Sequence, residues 1–171
     1  MTEWHGPRYW RNRKPAERVS NAHIPKRYMD KTVDGYNEDV GSWGVKKAIR
    51  GWAANIDENL ESGEGLYFCG ATGTGKTHLA AALLTEILTT KQLGGFFITA
   101  EKFIAATYDE LRSDGELPDE YGDPYLLKYI NSVFDVVVLD SLGSEKKTEF
   151  TKNAIATLLN SRYEQKLITI V

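Results

Sequence analysis

Short apolar runs alternate with helical segments along this chain, and that alternation predicts an α/β fold with a mainly parallel sheet. Three observations carry the prediction. Runs 66–69, 96–99, 136–139 and 167–171 are apolar and of strand length. The segments after the first three contain apolar residues at steps of three and four, as core-facing helices require. A glycine-rich stretch, 70–75, joins the first run to its helix.

The bulk numbers agree with one globular domain. The chain has 171 residues, 42% apolar and 26% charged, with 21 Lys and Arg against 24 Asp and Glu. This balance excludes a collagen-like or wholly disordered chain and a uniformly basic nucleic-acid binder. A single cysteine, Cys69, excludes an intramolecular disulfide and a multi-cysteine zinc site. His5, His23 and His78 are scattered rather than clustered. The longest apolar run, 79–84, is far shorter than a membrane span, and the first residues lack a signal-peptide pattern. No membrane association and a cytoplasmic location are expected.

In chain order, residues 1–28 hold seven cations and two carboxylates, with Trp4, Tyr9 and Trp10 among them. This stretch reads as a basic arm or loosely ordered lead-in, either docking a partner or nucleic acid or simply solvated. Val45, Ala48, Ile49, Trp52 and Ile56 predict a helix over 43–56 with Trp43 and Trp52 in the core, and 61–65 a turn. Run 66–69 predicts a buried strand, which would make Cys69 a core thiol. A helix over about 77–91 follows, ended by Gly94-Gly95; then come strand 96–99 and a helix holding Ile104, Tyr108 and Leu111. Residues 113–124 carry five acids and no base and read as an outward loop. A short helix holds Tyr125, Leu126, Leu127 and Ile130. Strand 136–139 ends in Asp140, a helix holds Ile155, Leu158 and Leu159, and 167–171 is the fourth strand.

The chemistry is concentrated at Gly70-Ala71-Thr72-Gly73-Thr74-Gly75-Lys76-Thr77, which matches G-x-x-x-x-G-K-[ST]. Glycines let the amide N–H groups of such a loop turn inward around a polyphosphate, and the following helix adds the positive end of its dipole. Lys76 is expected on the β- and γ-phosphates of ATP and the Thr77 hydroxyl on Mg²⁺. Asp140, at the carboxyl end of an apolar strand, is the second expected Mg²⁺ contact. His78 adjoins the loop and reads as a helix-packing residue of the nucleotide-binding stretch rather than a catalyst.

The Gly-Thr-Gly-Lys-Thr-His-Leu-Ala core at 73–80 resembles the AAA+ ATPases of the bacterial and phage helicase-loader group, DnaC/DnaI type, and is shared with IstB-type transposition helpers. Residues 139–146 (Leu-Asp-Ser-Leu-Gly-Ser-Glu-Lys) resemble the Walker B segment of that group. Ile24-Pro25-Lys26-Arg27-Tyr28 and Thr32-Val33-Asp34-Gly35-Tyr36 resemble its lead-in, and Asn160-Ser161-Arg162-Tyr163 resembles one of its helix ends. The resemblance covers about 24–171. It implies a P-loop NTPase core with strand order 5-1-4-3-2 and ATP-switched assembly on a replicative DNA helicase that places it on single-stranded DNA. It also implies a helicase-contacting segment ahead of the core, and leaves self-assembly open. Residues 1–36 are then the basic arm and lead-in, and 37–171 the ATPase core. The alternatives are an IstB-type transposition helper and a truncated adaptor that binds helicase without hydrolysing ATP.

Two departures from the family pattern bear on activity. Ser141 follows Asp140 where the pattern has a second acid, and a serine is a poor proton acceptor. Glu145, five positions beyond Asp140, is the candidate substitute. An ATPase with slow intrinsic turnover is expected, with Lys76, Asp140 and Glu145 as its catalytic candidates. The resemblance also implies that the chain ends after its fourth strand, as a fragment or a short form. The first strand would then lack its outer neighbour, and the sheet would be marginal. Three weaker signals have plain alternatives: Tyr36 as an adenine contact or a core tyrosine, Arg162 as an arginine finger or a cation near a helix end, and Lys146 and Lys147 as DNA contacts or a solvated helix start.

Overall fold

The computed structural model describes residues 9–171 apart from Val40, Ser42, 113–124 and Glu145. The helices are α1 (Pro15–Ser20), α2 (Val45–Ala54), α3 (Ile56–Ser62), α4 (Lys76–Thr90), α5 (Ala100–Arg112), α6 (Tyr125–Val133) and α7 (Glu149–Glu164). The strands are β1 (Gly95–Thr99), β2 (Val136–Asp140) and β3 (Ile168–Ile170). They form one parallel sheet in the spatial order β1-β2-β3, with Thr99 beside Asp140 and Val138 beside Ile170. The acidic loop 113–124 lies outside the described residues.

Side chains alternate across β2, as the period of a strand dictates. Val136 and Val138 join a core with Phe97, Ile168, Ile170, the apolar length of α4, and Ile49 and Trp52 of α2. Val137 and Leu139 join the opposite core with Phe96, Ile98, Phe103 of α5, Ile130 of α6, and Ile155 and Leu158 of α7. Buried on both faces, β2 is the near-continuous apolar run expected of a central parallel strand.

The first predicted strand is reduced to one bridge. Leu66 pairs with Ile170 in parallel, through Leu66 N–H to Thr169 O at 3.1 Å and Val171 N–H to Leu66 O at 2.8 Å. With a neighbour on one side only among the described residues, Tyr67 is 70% exposed and Cys69 is exposed. The expected buried strand and core thiol are therefore corrected to a half-solvated edge segment. The order edge segment-β3-β2-β1 reproduces the 1-4-3-2 part of the predicted sheet.

The predicted helix over 43–56 is two helices, broken at Asn55, and the second runs to Ser62 through part of the predicted turn. Trp52 is core, but Trp43 is 88% exposed. It precedes α2 and sits off the face defined by Ile49 and Trp52.

Residues 9–28, read from their charge as an arm, are packed. Trp10 stacks on Phe134 at a centroid distance of 6.3 Å. Arg11 pairs with Asp135, which holds its guanidinium above the usual range, and Asp135 also accepts from Gly94 N–H at 2.8 Å. Arg18 is buried and donates from Nε to Leu88 O in the last turn of α4 at 3.0 Å. A cation there satisfies an orphan carbonyl and complements the helix dipole. Ala22 O accepts from Phe97 N–H at 2.7 Å, covering the outer edge of β1 at its centre. Arg50 of α2 ties Asp34 of the lead-in, at 3.0 Å, to Glu86 of α4.

Arg162 is fully buried. It donates to Thr169 Oγ1 at 3.0 Å and to the carbonyls of Phe134, Asp135 and Ile168 at 3.3, 3.2 and 2.8 Å. It joins α7 to the starts of β2 and β3. It does not reach outward as a finger; it is the cation in the last turn of α7, and it is buried there. No helix among the described residues is long and apolar enough to cross a membrane.

Candidate nucleotide-binding site

The glycine-rich loop leaves the edge segment and enters α4. Gly75 caps α4 with φ +84, and no side chain caps this end. A non-glycine residue would be strained there. The first-turn N–H groups of α4 therefore have no side-chain cap to compete with an anion. By contrast, α7 opens with a capping box between Thr148 and Thr151.

Within the loop, Thr74 Oγ1 donates to Ala71 O at 2.9 Å, and Gly70 and Gly73 also have positive φ. Ala71 and Thr72 are exposed at the tip. Lys76 Nζ donates to Gly70 O and Ala71 O, each at 2.8 Å, so the ammonium group lies back along the loop. Thr77 Oγ1 donates to Asp140 Oδ1 at 2.9 Å and reaches Oδ2 at 3.2 Å. Lys76, Asp140 and Ser141 line one small cavity of about 70 Å³ with Phe68, Leu142 and Val171.

The structure thus brings Lys76, Thr77 and Asp140 together. Ser141 has φ +61, is exposed, and donates from Oγ to Asp140 Oδ2 at 3.2 Å. Glu145 lies outside the described residues. Lys146 and Lys147 are exposed just before α7.

His78 Nε2 lies 2.9 Å from Thr32 O. A carbonyl can only accept, so Nε2 carries the proton in this contact. His78 faces the lead-in and packs edge-to-face on Tyr36 at 5.8 Å between centroids. Tyr36 is buried and donates to Thr74 O at 2.7 Å. Sequence reasoning weighed Tyr36 as an adenine contact or a core residue and missed its bond to the loop backbone. No sequence pattern announces that bond; only in the fold does Gly41, lacking a side chain, make room for the phenol.

The donor set suits Mg²⁺ with a polyphosphate. A hydroxyl and a carboxylate are hard oxygen ligands, and Mg²⁺ characteristically takes one or two from protein, phosphate oxygens and water.

No family model matches the chain. It is similar to the replicative helicase loader DnaC of Escherichia coli K12, 28% identical over 129 residues, covering 75% of this chain and 49% of that one. It is similar to the replicative helicase loader DnaI of Bacillus subtilis 168, 31% identical over 110 residues, covering 63% and 32%. A crystal structure of the DnaC helicase loader superposes with a TM-score of 0.71 and 33% identity, covering 85% of this chain and 77% of that one. The chain spans about half the length of the curated DnaC relatives it matches. With the P-loop, the strand-end aspartate and the parallel sheet in place, the chain belongs to the DnaC/DnaI-type helicase loaders, on the AAA+ P-loop fold.

Proposed function

We propose that this chain binds ATP with Mg²⁺ and acts as a helicase loader, engaging a replicative helicase and assisting its placement on single-stranded DNA. The observation that carries the proposal is the Thr77–Asp140 pair at 2.9 Å beside the side-chain-uncapped start of α4, in a chain of loader fold and family. The Gly70–Thr77 amides and α4 would hold the phosphates. Lys76 would exchange its two loop carbonyls for phosphate oxygens. Thr77 and Asp140 would hold Mg²⁺, which neutralises phosphate charge when bound.

Hydrolysis is proposed to be slow. Ser141 supplies no carboxylate beside Asp140, and its hydroxyl is engaged with Asp140. General-base help is worth about 10²–10⁴ in rate. Glu145 remains the proposed substitute base. Residues 1–36 are proposed to contribute to helicase contact as well as to the packing described above, and self-assembly remains a proposal. The relatives named above are helicase loaders, so the transposition-helper reading is not favoured.

The test is co-migration of this chain with its host's replicative helicase on a sizing column, with and without ATP and Mg²⁺. Co-migration supports the loader reading. A folded, ATP-binding preparation that does not co-migrate overturns it.

A further inference from the structure

We infer that Tyr36 is a positioning residue for the phosphate loop, acting on the Thr74–Gly75 peptide rather than on a base. The inference rests on the nucleotide reading above and deepens it. The phenol is clamped between two glycines. A Cβ on Gly41 would lie 1.5 Å from the Tyr36 hydroxyl and 2.9 Å from Thr74 O. A Cβ on Gly75 would lie 2.5 Å from the Tyr36 ring. So glycines at 41 and 75 let the ring approach the loop closely, and the ring's hydroxyl reaches Thr74 O at 2.7 Å.

A trans peptide is planar, and its C=O and N–H point in opposite directions. Holding Thr74 O on the phenol therefore points Gly75 N–H away from the Tyr36 ring hydroxyl. In the inferred role this leaves the amide free to meet a phosphate oxygen, as a phosphate loop requires. The next carbonyl, Gly75 O, is taken by Leu79 N–H at 3.0 Å as the first bond of α4. Both carbonyls flanking the Gly75 amide are thus committed, one to the phenol and one to the helix. His78, bonded to Thr32 O, also packs edge-to-face on the same ring. A loop whose amides are already oriented pays less to order around its ligand.

The experiment titrates the full chain and its Tyr36→Phe and Gly41→Ala variants with ATP and, separately, with inorganic tripolyphosphate, both with Mg²⁺. Melting temperature without ligand is measured alongside. Tyr36→Phe keeps the ring and removes the hydroxyl; Gly41→Ala displaces the hydroxyl and leaves Tyr36 in place. Each variant is expected to weaken ATP and tripolyphosphate by the same factor, about fivefold, as for one lost hydrogen bond. A loss confined to ATP would put the ring on the base and overturn the inference. Unchanged affinities with a lowered melting temperature would make Tyr36 a packing residue and overturn it too. Wild-type chain that binds neither ligand would instead overturn the nucleotide reading on which the inference depends.

Discussion

The Thr77 hydroxyl and the Asp140 carboxylate meet at 2.9 Å although 63 residues separate them. The first is set by the opening turn of α4 and the second by the last position of β2. Parallel pairing of β2 between β1 and β3 fixes where that last position falls. The contact therefore reports the register of the sheet as well as the chemistry of the site.

Replacing Asp140 by Asn keeps the shape and removes the charge. ATP affinity measured with and without Mg²⁺ separates the two contributions. Wild-type chain is expected to bind ATP at least about tenfold more tightly with the metal, and Asp140→Asn to lose most of that gain. An undiminished gain in the variant would remove Asp140 from the metal site.

Ser141→Asp tests the slow-turnover reading. Position 141 has φ +61, a conformation that Asp tolerates better than most residues, so the backbone accepts the change. Steady-state phosphate release is expected to rise by about 10²-fold, the lower end of general-base help. An unchanged rate would mean that the serine is not what limits hydrolysis.

Arg162→Met should destabilise the fold without altering ATP affinity. The guanidinium serves one hydroxyl and three carbonyls near the sheet's starting edge, so its removal strands buried acceptors. Urea unfolding is expected to show a loss of about 3 kcal/mol. Burial pushes the group well below its usual range, to about 9, opposed by nearby Asp135. The unfolded chain then holds the extra proton only above about pH 9, and stability gains from this group only there. The Arg162→Met difference is accordingly expected to be constant between pH 6 and 8. A slope across that window would contradict the assignment.

Arg18→Met removes the donor that meets Leu88 O at the end of the P-loop helix. The cost is expected to be about 1–3 kcal/mol in thermal or chemical unfolding. It should vary little with salt, because the group is buried. By comparison, Arg50→Ala, at the more exposed Asp34–Arg50–Glu86 cluster, should cost about 1 kcal/mol or less and respond to salt. Equal salt dependence of the two would contradict this contrast.

The sheet and the residues that meet at the start of α4 were legible in the sequence because each rests on a local pattern. Val136–Asp140 is a continuous apolar run closed by an acid, and Gly70–Thr77 matches a motif whose spacing serves one geometry. What escaped was set by neighbours distant in sequence. Leu66–Cys69 has strand composition, but its burial depends on a second flanking strand, which composition does not register. Residues 9–28 carry the charge of a solvated arm, yet Arg11 and Arg18 are bound to Asp135 and Leu88 O, far along the chain. Arg162 sits near a helix end like many surface cations, and only the fold shows the carbonyls of Phe134 and Asp135 around it. Tyr36 escaped for the same reason, since its partner is a backbone oxygen with no sequence signature.

The two margins of the sheet are unlike. At β1 the lead-in covers the centre of the outer edge through Ala22, whereas at the other margin the short segment at Leu66 and Phe68 pairs with the end of β3 and is itself the outermost described element. Addition of a further strand is therefore directional. It would join beside Leu66, next to the loop that carries Lys76, so lengthening the sheet and stiffening the phosphate site would be one event.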